Sequence, residues 1–119
     1  MNKQSLIYQL GKMMNFSDDY IRELENEYLQ GNYDERYQLM DMLWKHFFKM
    51  MDDMIKVTYN SFLHEIETGK RSLTNDIYQQ AVDYVKKFLL KSLEGTVDDE
   101  LKIEEIRQKI MSYAGKGVN

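Results

Sequence analysis

The chain contains no cysteine and no proline, and only six of its 119 residues are glycine. Without cysteine there is no disulfide framework, no thiolate zinc or iron–sulfur site and no thiol nucleophile. Without proline, and with few glycines, the sequence has few sharp stops, which favours helices. No apolar run approaches the roughly 18 residues that span a bilayer. The segment Met1-Asn2-Lys3-Gln4-Ser5 lacks the charged start, apolar block and small-residue cleavage site of a secretory signal, so the expected compartment is the cytoplasm. A large excess of positive charge is also missing. Sixteen basic against twenty acidic side chains give −4, which disfavours general phosphate neutralisation along a nucleic acid.

What is present is a single-domain quantity of apolar residues, 43% of the chain, recurring at three- and four-residue spacings. The reading is an all-α, compact antiparallel bundle of four principal helices plus a short N-terminal one, with the domain over 1–114 and a flexible tail over 115–119. The first helix is expected over about 3–14. A second follows Ser17, whose hydroxyl suits an N-cap. Phe16 and Ile21 stand at hydrophobic-staple positions, and Gly31 should close the helix in a left-handed conformation. The third, over about 34–68, dominates the sequence. Met40, Trp44, Phe47, Met51, Ile55, Thr58, Phe62 and Ile66 lie on one stripe, with Leu43, Met50, Met54 and Val57 beside it. Asp41, Lys45, Lys49, Asp52, Lys56 and Asn60 form a narrow polar side, with Asp41–Lys45, Lys49–Asp53 and Asp52–Lys56 as local pairs. A break near Asp52-Asp53 would fold this helix into a hairpin. Thr74 is the expected cap of a fourth helix, with Leu73 and Tyr78 as its staple, and Gly95 its end. Thr96 and Asp99 have capping-box spacing for a fifth, whose buried side includes Leu101, Ile103, Ile106 and Ile110 and whose exposed pairs are Asp98–Lys102 and Glu105–Lys109.

Motifs for chemistry are scarce. His46 and His64 share an azimuth but stand five turns apart, beyond the reach of one ion on a continuous helix. No Glu-x-x-His, His-Glu-x-x-His or Glu-x-x-Glu occurs, and there is no nucleophile elbow or phosphate-binding glycine loop. The expectation is a chain that is not an enzyme and has no metal and no cofactor.

Two features point to binding. Between Ser17 and Gln30 lie five carboxylates and one arginine, with Asp19, Glu23 and Glu27 at successive four-residue steps as an acidic ridge. Nine methionines and fifteen aromatic residues, many in the third helix, offer more apolar surface than two neighbours readily cover. The leading reading is a protein–protein interaction module, binding a partner or a second copy. Its apolar anchors are Trp44, Phe48, Met51 and Phe62, and its charged rim is Asp19, Glu23 and Glu27. One alternative is a bundle enclosing a small apolar ligand among Met50, Met54, Tyr59 and Phe88. Another is a nucleic-acid-associated protein using Lys86, Lys87 and Lys91 with Lys70 and Arg71.

Overall fold

In the computed structural model, which describes residues 5–94 and 100–116, five helices follow one another and no strand forms among the described residues. They are α1 (Leu6–Met13), α2 (Asp18–Gln30), α3 (Tyr33–Glu67), α4 (Ile77–Glu94) and α5 (Glu100–Ser112). The third helix is continuous. No break occurs at Asp52-Asp53, and its 35 residues run about 50 Å, close to the 54 Å long axis of the molecule. No described helix is long and apolar enough to cross a membrane.

Local chemistry sets the helix starts. Ser5 caps α1 by accepting from the Tyr8 amide, and Ser17 caps α2 by accepting from Tyr20. Asn32 and Glu35 form a reciprocal capping box on α3: the Asn32 side chain accepts from the Glu35 amide, and the Glu35 carboxylate accepts from the Asn32 amide. Gly31 departs from expectation. Its φ of −79° is extended, because the Arg36 guanidinium reaches back to the Tyr28 and Leu29 carbonyls and ends α2 without a left-handed residue. The start of α4 also shifts. The Asp76 carbonyl accepts the first helical bond, from Gln80, while the Thr74 hydroxyl donates to the Asp76 carboxylate. Leu73 is exposed and makes no staple. Gly95, Thr96, Asp98 and Asp99, expected at the α4–α5 connection, lie outside the described residues, as do the side chains of Leu101, Lys102 and Ile103.

The core follows the predicted stripe. Phe47, Met51, Ile55 and Phe62 of α3 meet Ala81, Val82, Val85, Leu89 and Leu93 of α4, Ile106 and Ile110 of α5, and Leu10 of α1. A satellite cluster of Ile7, Leu24 and Leu43 joins α1, α2 and the first half of α3. The α3–α4 turn is tied by Arg71, which donates to Glu65 and Gln80 and stacks 3.7 Å from the Phe62 ring centroid.

Gly11 marks the closest approach of α1 to α2. A Cβ there would lie 2.6 Å from Ile21 Cγ1, and Ile21 is fully buried. Alanine gains about 1 kcal/mol of helix propensity over glycine, but overpacking costs about 1–3 kcal/mol. Gly11→Ala is therefore expected to lower the denaturation midpoint, and Ile21→Val, which removes the Cδ1 methyl 2.9 Å away, should cost less in the Gly11→Ala background than in wild type. Chemical unfolding of the four proteins of that cycle checks this.

Candidate functional site

The apolar stripe of α3 begins one turn and a half before its cover does. Tyr33, Tyr37, Met40, Trp44, Phe47 and Met51 follow in steps of four and three, so they share one face. Phe47 and Met51 are fully buried, and Met40 and Trp44 are half-buried against the core. Tyr33 and Tyr37, in line with them, are 84% and 67% exposed. Residues 32–38 are all exposed, and cover starts at Leu39 and Met40. Leu29, also exposed, is held against this turn by the bond from Arg36 to its carbonyl. The result is an open apolar shelf at the N-terminal end of α3.

The charge around the shelf is acidic. Residues 17–41 carry eight carboxylates and two arginines, so the rest of the chain is slightly basic. Lys12 bridges to Asp18, raising the lysine pKa and lowering that of the carboxyl chiefly through their hydrogen bond. Asp41 pairs with Lys45 at 2.8 Å.

The anchors chosen from sequence are placed differently. Met51 is fully buried. Phe62 is buried too, beneath Arg71 and edge-on to Tyr84. Neither presents a surface, because α4 lies along the centre of the stripe. Trp44 and Phe48 are partly accessible but face α5: Lys109 stands 5.3 Å over the Trp44 ring, and Tyr113 stacks on Phe48 at 4.9 Å. Lys109 thus serves Trp44 and not the expected partner Glu105. The rim residues Asp19, Glu23 and Glu27 are all exposed. Glu27 borders a shallow groove with Gln30, Glu35 and Leu39. Leu39 and Trp44 are about 140° apart around the helix, so the ridge and the Trp44 anchor lie on different flanks of α3. Tyr33 and Tyr37 were missed, although the same four–three spacing, extended back past Met40, includes them.

The alternative sites do not assemble. Met50 and Met54 line an open groove of about 320 Å³ with Met14, His46, Lys49 and Asp53. Tyr59 instead packs edge-on to Tyr78, and Phe88 is 54% exposed. Lys86, Lys87 and Lys91 do share a groove with Asp83 and Leu90, but Lys86 is engaged by the Met111 carbonyl and Arg71 by Glu65 and Gln80. His46 meets the Phe16 ring, and unbroken α3 keeps it about 27 Å from His64. No group of three or more metal-ligating side chains occurs among the described residues.

A second unexpected feature lies at mid-helix. Asp52, read from sequence as part of the solvated side and a partner of Lys56, has only 14% of its side chain exposed. Neither carboxylate oxygen meets a donor at full hydrogen-bonding geometry. The nearest groups are the Tyr113 hydroxyl and the Lys116 ammonium, 3.7 Å from Oδ2. The tail expected from residue 115 is therefore engaged at Gly115 and Lys116; residues 117–119 lie outside the described set. Burial first, then Asp52 as an acceptor for its proton, push the Tyr113 hydroxyl above its ordinary value of 10.0.

A raised pKa in the folded chain means that Tyr113 favours folding below about pH 10, and that this contribution fades as pH rises from the unfolded value toward the folded one. The stability difference between wild type and Tyr113→Phe should therefore shrink between about pH 8 and pH 11, as read from urea unfolding at both. A difference that stays constant would contradict the shift. No family model, curated protein or solved structure matches the chain.

Proposed function

We propose that this chain is a protein–protein interaction module that receives a basic amphipathic helix on the open shelf of α3. One observation carries the reading: Tyr33 and Tyr37 continue the core stripe yet have no cover. Tyrosine suits such a position, since it supplies a rigid apolar ring and a hydroxyl that tolerates water until a partner arrives. Helix-in-groove recognition uses anchors at this spacing. The surrounding carboxylates select the charge of the partner, because a basic helix is attracted while a second acidic copy of the same end is repelled. On this reading the partner's apolar face lies against Tyr33, Tyr37 and Met40. Asp34 and Asp41, which flank the stripe on the first turns of α3, meet its lysines or arginines.

A synthetic helix of leucine and lysine, with its leucines on one face, serves as the probe. Trp44, the only tryptophan, sits one turn beyond Met40 and reports binding through its emission. Wild-type protein should bind the probe, with affinity falling as salt rises. The double variant Tyr33→Ala/Tyr37→Ala keeps every charge and removes no core contact. It should melt within a few degrees of wild type and bind at least about tenfold more weakly. Equal binding by both proteins would mean that charge alone is being read and would remove the shelf from the proposal. Sedimentation of the free protein decides the remaining alternative: self-association that the double variant abolishes would assign the shelf to a second copy.

A further inference from the structure

The Asp52 niche has the form of a binding site that the chain fills with its own end. Phe48 provides a stacking platform one turn before Asp52, and the Tyr113 ring lies on it nearly parallel, at 3°. The Tyr113 hydroxyl points to the Asp52 carboxylate. Gly115 then adopts a φ of +77° and passes so close to Tyr78 that a Cβ would lie 2.7 Å from its hydroxyl. This lets Lys116 turn back toward Asp52. Tyr59 packs behind Tyr78 and fixes that wall. Aromatic ring, glycine and cation each meet a complementary feature of α3 or α4.

The closure is poorly bonded at its centre. Both Asp52 oxygens lie out of water, and the Lys116 ammonium stands 3.7 Å from Oδ2 on a side chain that remains 79% exposed. Desolvation of the Asp52 carboxylate opposes the closure, while ring stacking, the Tyr113 hydroxyl and the lysine charge favour it. Lifting the segment would return Asp52 to water. The segment is thus held by a stacked ring and a polar contact, unlike α5 itself, which the dry contacts of Ile106 and Ile110 hold.

We propose that residues 113–116 form a releasable latch over a peptide-binding niche made by Phe48, Asp52 and Tyr78. The niche takes, from a partner, a segment of the same chemistry: a tyrosine followed three residues later by a lysine. The latch is a competitive occupant in cis, so an external segment binds only in proportion to the open fraction. This site stands apart from the open shelf and does not depend on the reading given to it.

The test uses full-length isotope-labelled protein and the hexapeptide Ser-Tyr-Ala-Gly-Lys-Gly as probe, followed by amide chemical shifts. Gly115→Val leaves the niche unchanged but meets Tyr78 and a backbone conformation unsuited to valine, so it should release residues 113–116. The expected result is saturable shifts around Phe48, Asp52 and Tyr78 in Gly115→Val, at an apparent affinity at least about tenfold better than wild type. Adding Asp52→Asn should weaken probe binding about fivefold or more, which stacking alone would not require. Tyr113→Ser is a second way to open the latch, and it should reproduce the gain. The proposal is overturned if the opened variants bind no better than wild type, or if Asp52→Asn leaves binding unchanged. Loss of fold in both opened variants would overturn it as well, since the segment would then be a structural part of the core.

Discussion

A single helix apolar over more than half its circumference imposes the arrangement of everything else. α3 needs cover on several sides, and no one neighbour is as long as it is. α4 takes the centre of the stripe from the C-terminal end, where the tight turn after Glu67 brings it back antiparallel. α1 and α2 take one flank of the N-terminal half through Leu24, Leu43 and Ile7. α5 returns to the other flank, setting Ile106 and Ile110 into the core and Lys109 over Trp44. Four helices of 8 to 18 residues thus wrap one of 35, and among the described residues the wrapping runs out at the N-terminal end of α3. The open shelf is a consequence of that mismatch in length.

Burial alone does not explain the chemistry along the rod, because the two flanks carry opposite problems. On the α2 flank, carboxylates are crowded but solvated. Their mutual repulsion is weak in water and eased by neighbours such as Lys12 and Lys45. On the α5 flank there is one carboxylate, Asp52, out of water and loosely paired. A single desolvated charge costs more than several hydrated ones, so the energetic tension in this molecule sits at Asp52 and not at the acidic ridge. The niche responds to whether its own strap is in place.

The two surfaces also share a helix and a stripe. From Tyr37 to Phe48 is three turns, about 16 Å, and Met40 and Trp44 fill the interval. A partner helix of more than three turns lying on the shelf would reach Trp44, which α5 covers through Lys109 just before the chain enters the latch. Any preference of such a partner for an uncovered Trp44 would, by linkage, be matched by an equal effect of α5 on the affinity of the shelf. Contiguity of the stripe is what makes that coupling physically available.

How far this could be read from the sequence depended on whether the deciding interaction was local. Periodicity reports which face of a helix is apolar, so the five helices, the length of α3 and its inward stripe through Phe47 and Ile55 were legible, whereas its unbroken course through Asp52-Asp53 was left open. Caps are local too, and Ser17 was found, while Thr74 misled because Asp76 competes two residues on for the same role. Periodicity does not report which part of an apolar face will find a neighbour. Met51 and Phe62 therefore looked like anchors when they are core, and Tyr33 and Tyr37 went unnoticed at the end where cover stops. Asp52 was the least legible residue of all. Its neighbours along the helix, Lys49 and Lys56, describe a solvated position, whereas Tyr113 and Lys116 return from some sixty residues away to meet its buried carboxylate. Nothing within a helical turn of Asp52 encodes that return. The information lies in Gly115, which at +77° is the one residue type that lets the chain pass Tyr78, and a glycine near a chain end reads, by local rules, as nothing more than slack.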